Sequence, residues 1–154
     1  VDPQGPDGKP ISVFESAAIL MYLARKAKSP LLPSDERAFI TTMQWVFFQM
    51  ASVGPMLGQM GHFRRFAKEK IPYAIDRYTD EVKRILGVMN TQLGKSEYLA
   101  GADYSIADIA HFGWLRVAPT YLGMDMAPYP AVRSWVQAIA ERPATQRALT
   151  ALGG

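Results

Sequence analysis

Ile71-Pro72-Tyr73-Ala74-Ile75-Asp76-Arg77-Tyr78-Thr79-Asp80-Glu81-Val82-Lys83-Arg84-Ile85-Leu86-Gly87-Val88-Met89-Asn90-Thr91-Gln92-Leu93 decides the fold class. Ile71, Ile75, Tyr78, Val82, Ile85, Met89 and Leu93 recur by fours and threes, which puts one apolar stripe along a helix of about six turns. Pro72 suits its first turn, where a missing N–H costs nothing. A stripe of that length has to be covered by other helices, so the expected fold is mainly α.

Downstream, the connection Gly101-Ala102-Asp103-Tyr104 leads into Ser105-Ile106-Ala107-Asp108. A hydroxyl three residues before a carboxylate is the capping-box arrangement, and Tyr104 and Ile109 stand where a hydrophobic staple closes a helix start. Asp108 therefore reads first as a folding residue. Two shorter helices are expected over about 130–141 and 144–152, separated by Arg142-Pro143.

Upstream, one helix is expected from about 35 to 52. Gly54-Pro55 should end or kink it, because proline removes a donor and crowds the preceding turn. A loop rich in Gly, Met and basic residues is expected from Gly58 to about Lys68. Ser29-Pro30-Leu31-Leu32-Pro33-Ser34 reads as a linker by its prolines. Before it, Ala17 to Lys28 has helical spacing through Ile19, Leu20, Tyr22 and Leu23. Residues 9–14 alternate as a short strand, and the first eight residues, with Pro3, Gly5, Pro6 and Gly8, are turn chemistry. A lone strand does not make a stable sheet. That, with the absence of an initiating Met, leads us to expect further chain before Val1.

Composition narrows the classes. Of 154 residues, 49% are apolar, enough for a globular core, yet no run reaches the roughly 20 residues of a membrane span. The longest, Val46 to Val53, is broken by Gln49 and Ser52. A formal net charge of +3 is too mild to point to nucleic acid. No cysteine is present, so a disulfide framework and a thiolate metal site are excluded within the chain. With no signal-peptide pattern, the expected compartment is the cytosol.

Glu15-Ser16 is the stretch with chemistry. A carboxylate and a hydroxyl at a helix N-terminus, where free N–H groups meet an anion, make a receptor for an amino-acid end. The same pair is also read as a plain helix cap. His62, Arg64, Arg65, Lys68 and Lys70 form a basic stretch that either attracts an anion or is a solvated loop. Met43, Met50, Met56 and Met60 are core fillers or the lining of an adaptable pocket. His111 lacks a second ligand at metal spacing and reads as core or pocket lining, with no metal expected. Trp45, Trp114 and Trp135 read as core.

These stretches together resemble the glutathione transferase superfamily. Pro10 through Leu23 is similar to the last strand and helix of its thioredoxin-like N-terminal domain. Tyr98-Leu99-Ala100-Gly101 with Tyr104 to Ala110 is similar to its helical-domain capping signature. Tyr129-Pro130-Ala131-Val132, Trp135 and Arg142-Pro143-Ala144 resemble its closing helices. Gln44 to Met50, Gly54 to Gln59 and Ile71 to Tyr78 resemble the bacterial Nu-class, disulfide-bond reductase-like branch, which departs locally in often having His at the place of Gly61. The resemblance implies three parts: residues 1–28 closing a thioredoxin-like domain, 29–34 a linker, and 35–154 an all-helical domain.

It also implies a glutathione-dependent transferase or disulfide reductase. Glutathione would be the co-substrate, and a small electrophile or disulfide the second substrate. Glu15 and Ser16 would hold the γ-glutamyl end, Arg77 would help hold the carboxylates of glutathione or glutathione disulfide, and the protein would be a homodimer. The thiol-activating residue and the cis-Pro turn would lie before Val1, so this chain would hold no catalytic residue and would not be active by itself. The alternative is a non-catalytic binding or regulatory module of the same fold. Geometry leaves Arg77 open. It lies two residues past Ile75, about 200° round the helix and off the stripe, where it either faces a ligand cleft alongside Tyr73 or pairs with Glu81 one turn on.

Overall fold

A computed structural model describes residues 1–153. Seven α-helices follow in order: α1 (Ser16–Lys26), α2 (Glu36–Phe48), α3 (Gly54–Gly61), α4 (Pro72–Leu93), α5 (Ile106–Val117), α6 (Pro130–Ala140) and α7 (Pro143–Ala151). The mainly α architecture is the one the α4 stripe predicts.

The α4 stripe is buried through its centre. Val82, Ile85, Leu86 and Met89 are inaccessible to solvent and meet Val53, Leu57 and Met60 of the preceding helices, Leu115 of α5, and Val132, Trp135 and Ile139 of α6. Its first turn runs past this core, so Ile71 is exposed there and Ile75 half-buried. Asn90 of α4 also caps α6, its side-chain oxygen accepting from Ala131 N–H at 2.9 Å. A second cluster of Ala17, Ala24, Met43, Val46, Ile106 and Ala107 ties α1 to α2 and α5. The linker is fixed to the same place, because Leu31 C=O accepts from Ile106 N–H at 2.9 Å.

Of the end or kink expected at Gly54-Pro55, the end does not occur. Asp35 caps α2 through Ala38 N–H at 2.9 Å, and helical backbone then continues from Glu36 to Phe66 without interruption. The proline is absorbed by a π-turn, Gln49–Val53, in which Gly54 N–H reaches back five residues to Gln49 C=O. Widening the helix by one residue is one way a chain accommodates a misfit inside a helix. Glycine at 54 also lets α5 come close, since a Cβ there would lie 3.2 Å from Trp114 Nε1 and 3.1 Å from Gln49 Nε2.

Nor is the stretch 58–66 a loop, only Ala67 and Lys68 of the expected loop being irregular. It completes α3 and a second π-turn, His62–Phe66, closed by Ala67 N–H to His62 C=O at 2.8 Å. The basic stretch is therefore largely committed. Arg64 donates to Leu122 C=O and Gly123 C=O, Arg65 to Tyr121 C=O with its guanidinium over the Tyr121 ring, and Lys70 to Arg64 C=O. Gly61 is buried against Leu122, whose Cδ2 would sit 2.8 Å from a Cβ at 61, so a side chain such as His could enter only by moving that leucine.

The strand expected over 9–14 is reduced to one antiparallel bridge, Asp2 with Ile11. Among the described residues no further strand adjoins it, and a single strand has no ladder to join. The Asp2 carboxylate instead holds the N-terminal turn against α1. It accepts from Lys26 and from Tyr22 Oη at 2.6 Å, and the Lys26 ammonium keeps it well below the usual carboxylate range.

The capping box at the start of α5 forms. Ser105 Oγ accepts from Ala107 N–H at 3.2 Å and Asp108 reaches back to Ser105 N–H at 3.0 Å. Tyr104 packs on Tyr98 and beneath the Arg142 guanidinium, 3.8 Å from its ring centre. Ser105→Ala is expected to lower stability by about 1 kcal/mol, the ordinary loss for a cap. An unchanged urea midpoint would show that the hydroxyl contributes nothing.

Candidate functional site

Glu15 is the residue before α1, and its backbone stands at φ 68°, ψ 120°. A non-glycine residue with positive φ is uncommon, and such strain costs on the order of 1–3 kcal/mol and is concentrated at functional sites. Among the described residues no side chain caps the start of α1, so its first N–H groups are open to an anion. The plain-cap reading of Glu15-Ser16 fails on this point: neither side chain closes the helix. Glu15 and Ser16 are both exposed. The contact of the Ser16 hydroxyl is with a thioether, Oγ donating to Met50 Sδ at 3.9 Å. That is a weak bond, readily given up to a carboxylate. Met50 belongs to the first π-turn, so the anomaly in the long helix lies directly against the start of α1.

Arg77 lies on the outer side of α4, off the buried stripe, as the 200° offset predicts. It lines a groove of about 710 Å³ with Met56, Tyr73, Asp76, Tyr78, Asp80, Glu81 and Arg84. Glu81 does not pair with it. Arg84 takes that carboxylate in a two-pronged grip, Nε to Oε2 at 2.8 Å and Nη2 to Oε1 at 2.7 Å. This bonding holds the Glu81 carboxyl below its usual range, with a smaller pull from the Arg77 charge. Asp80 is taken in turn by Lys83 at 2.9 Å. Among the described residues Arg77 has no ion-pair partner. The sequence points to Tyr73 beside Arg77 and to Met56 as a candidate pocket lining, but not to Asp76. Asp76 is recognisable only once the neighbouring acids are seen to be engaged.

The methionines divide. Met43 and Met60 are core, whereas Met50 and Met56 are half-buried, one against Ser16 and the other in the Arg77 groove. Asp108 and His111, the buried polar pair of α5, neither touch Ser16 nor line the Arg77 groove. Both Asp108 oxygens are occupied. Oδ1 accepts from Leu99 N–H at 3.0 Å and Trp135 Nε1–H at 2.9 Å, and Oδ2 from Ser105 N–H and Ser105 Oγ. No reach to a ligand is left. Among the described residues no three His, Asp or Glu side chains come together in a way that could hold a metal. None of their helices is long and apolar enough to cross a membrane.

Residues 39–143 match the family model described as glutathione S-transferase, C-terminal domain. The chain is 48% identical over 142 residues to the disulfide-bond oxidoreductase YfcG of Escherichia coli, covering 92% of this chain and 65% of that protein. It is 39% identical to the disulfide-bond oxidoreductase YghU of the same organism, covering 90% of this chain and 50% of the other. The chain thus spans from half to just under two thirds of these relatives. Among solved structures it is similar to a glutathione transferase from Burkholderia graminis with two glutathione molecules bound per subunit. The TM-score is 0.87 and the identity 42%, over 96% of this chain and 63% of the other. It is equally similar to one from Pseudomonas putida with one glutathione disulfide bound per subunit, at TM-score 0.88 and 40% identity over 96% and 66% of the two chains.

Proposed function

The chain belongs to the glutathione S-transferase family, and from that premise we propose that it is the helical part of a glutathione-dependent disulfide reductase or transferase. In this reading residues 1–28 close a thioredoxin-like domain, 29–34 join it to the helical domain, and 35–154 form that domain. Activation of the thiol falls to a segment outside this chain, which supplies binding and orientation but no catalytic residue. The two similar oxidoreductases and the glutathione-bound structures support the reaction class. The observation that carries the reading to these residues is the left-handed backbone of Glu15 in front of an uncapped helix start.

The chemistry follows from those groups. The γ-glutamyl carboxylate of glutathione lies on the free N–H groups of α1 and takes the Ser16 hydroxyl from Met50. The Glu15 carboxylate accepts from the γ-glutamyl ammonium. So held, the glutathione thiolate attacks one sulfur of a small disulfide. A new S–S bond forms, the old one breaks, and the leaving thiolate takes up a proton. A second glutathione resolves the mixed disulfide and leaves as glutathione disulfide, whose second unit needs its own carboxylate partner. Arg77 supplies it, since a planar guanidinium can grip a carboxylate through two bonds. A small electrophile in place of the disulfide would make the same complex a transferase.

The reading extends to a cytosolic homodimer. The outer faces of α2 and α4 expose Ile40, Phe47 and Val88, with Phe47 63% accessible, and a second copy would cover such side chains.

Titration calorimetry tests the site, on the chain joined to its thioredoxin-like part. Ser16→Ala is expected to weaken glutathione about tenfold, the loss of one hydrogen bond to a charged group, with the thermal midpoint unmoved. Arg77→Ala is expected to weaken glutathione disulfide more than glutathione. Unchanged affinities would remove both residues from the site.

A further inference from the structure

We propose that the turn between the long helix and α4 is a docking surface for an anionic phospholipid bilayer. Phe66 and Tyr121 enter the interface there, and Arg64, Arg65, Lys68 and Lys70 face the headgroups. This contact is separate from the function proposed above and from its site. The start of α1 meets the long helix at Met50. Phe66 lies sixteen residues further on, roughly 24 Å along the axis at about 1.5 Å per residue.

Charge marks the place. Residues 62–70 hold those four cations and one acid, Glu69, a formal +3, and the whole chain also carries +3. The rest of the molecule is therefore neutral in sum, and the net positive charge sits at this one turn. The bonds of these side chains fix them without cancelling that charge. Arg64 and Arg65 donate to carbonyls at 121–123, and Lys70 to Arg64 C=O. Among the described residues none of the four cations is in an ion pair.

Apolar side chains stand among them. Phe66 is 59% exposed, Tyr121 50% and Ile71 39%. The Phe66 and Tyr121 rings are neighbours, 6.1 Å between centres, and the Arg65 guanidinium lies 5.0 Å over the Tyr121 ring. Exposed aromatics ringed by lysine and arginine are the composition that settles in a headgroup layer, rings at the acyl boundary and charges on anionic lipid. Such a contact lies on a membrane and needs no spanning helix. An acidic protein segment fits less well. Pairing with individual carboxylates uses the guanidinium fork, and here Nη1 of both arginines is turned to the protein's own backbone. What the arginines project is charge more than directed donors, which suits a continuous anionic surface.

The test is co-sedimentation with vesicles, using the chain joined to its thioredoxin-like part. Vesicles of phosphatidylcholine alone are compared with vesicles of equal parts phosphatidylcholine and phosphatidylglycerol, at low and at high salt. Binding is expected on the anionic vesicles at low salt and is lost at high salt. One basic side chain near such a surface changes partitioning about fivefold, so Lys68→Glu, which shifts the charge by two, should weaken binding about 25-fold. Phe66→Ser should weaken it about tenfold through lost insertion. Both side chains are exposed, so the thermal midpoints should not move. Lys95→Glu is the control. It makes the same change of net charge just past the far end of α4, roughly 35 Å from Pro72 by helical rise, and should leave binding nearly unchanged. Equal losses for Lys68→Glu and Lys95→Glu would reduce the effect to overall charge and overturn the site. Binding that is lost with Lys68→Glu but ignores Phe66→Ser would overturn the bilayer as occupant and assign the turn to a soluble acidic partner. No binding to the anionic vesicles at low salt would overturn the proposal outright.

Discussion

Asp108→Ala is expected to destabilise the protein by about 4 kcal/mol. The side chain is fully buried and receives four donors from three parts of the chain. Truncation leaves Leu99 N–H, Ser105 N–H and Trp135 Nε1–H without partners, and an unsatisfied buried donor costs about 1–3 kcal/mol. The sum is held below the naive total because the cavity can admit water and the losses are not additive. Asp108→Asn keeps the shape but turns an NH2 toward some of those donors, so about half the loss is expected. Urea unfolding with an unchanged slope would read the effect as a shift of midpoint. A shift no larger than that of Ser105→Ala would mean that Asp108 serves the cap alone and that its bonds to Leu99 and Trp135 contribute little.

That contrast marks what is legible in the sequence. The spacing of Ser105 and Asp108 announces the cap because the partners are three residues apart. It says nothing of Leu99, which the turn at 98–101 before α5 brings to the same carboxylate, or of Trp135, which arrives by the packing of α6 on α5. The α4 stripe is readable because period alone dictates a buried face, but how far the core extends along it is not, and Ile71 stays wet. Gly54-Pro55 misleads for a physical reason. Proline signals a break locally, and whether a π-turn absorbs it depends on what the continuing helix can bury, here Leu57 and Met60. The basic stretch misleads likewise, since the carbonyls that Arg64 and Arg65 reach lie at 121–123. At the candidate site the Glu15-Ser16 pair stands out by residue type. The strained φ of Glu15 and the engagement of Glu81 by Arg84 rather than Arg77 belong to geometry that no pattern encodes.

His111 should make the fold acid-sensitive in a defined window. It is fully buried on α5, and its ring lies 6.2 Å from Trp45 and 6.4 Å from Phe48, stacked on the latter. Its Nδ1 lies 2.8 Å from Ala107 C=O, which can only accept, so Nδ1 carries the proton and Nε2 is a buried lone pair without a partner among the described residues. Burial in this apolar setting pulls the imidazole down from 6.5 to about 4, against a smaller opposing effect of the Ala107 bond. Between those two values the unfolded chain binds a proton that the folded chain refuses. Stability therefore rises with pH across the window. The contribution is complete above pH 6.5 and is lost as pH falls toward 4. The whole effect is about 3 kcal/mol, because withholding one proton over a tenfold range of acidity is worth about 1.4 kcal/mol. Carboxylates titrate in the lower part of the same range, so the measurement is a difference. His111→Phe keeps a ring against Trp45 and Phe48 and removes both the titration and the orphaned lone pair. Urea midpoints taken at half-unit steps from about pH 7.5 to 4 should diverge below the ordinary histidine value, the unaltered protein falling more steeply than the variant. Parallel curves would mean that the folded protein protonates His111 as readily as the unfolded chain does, with water satisfying Nε2.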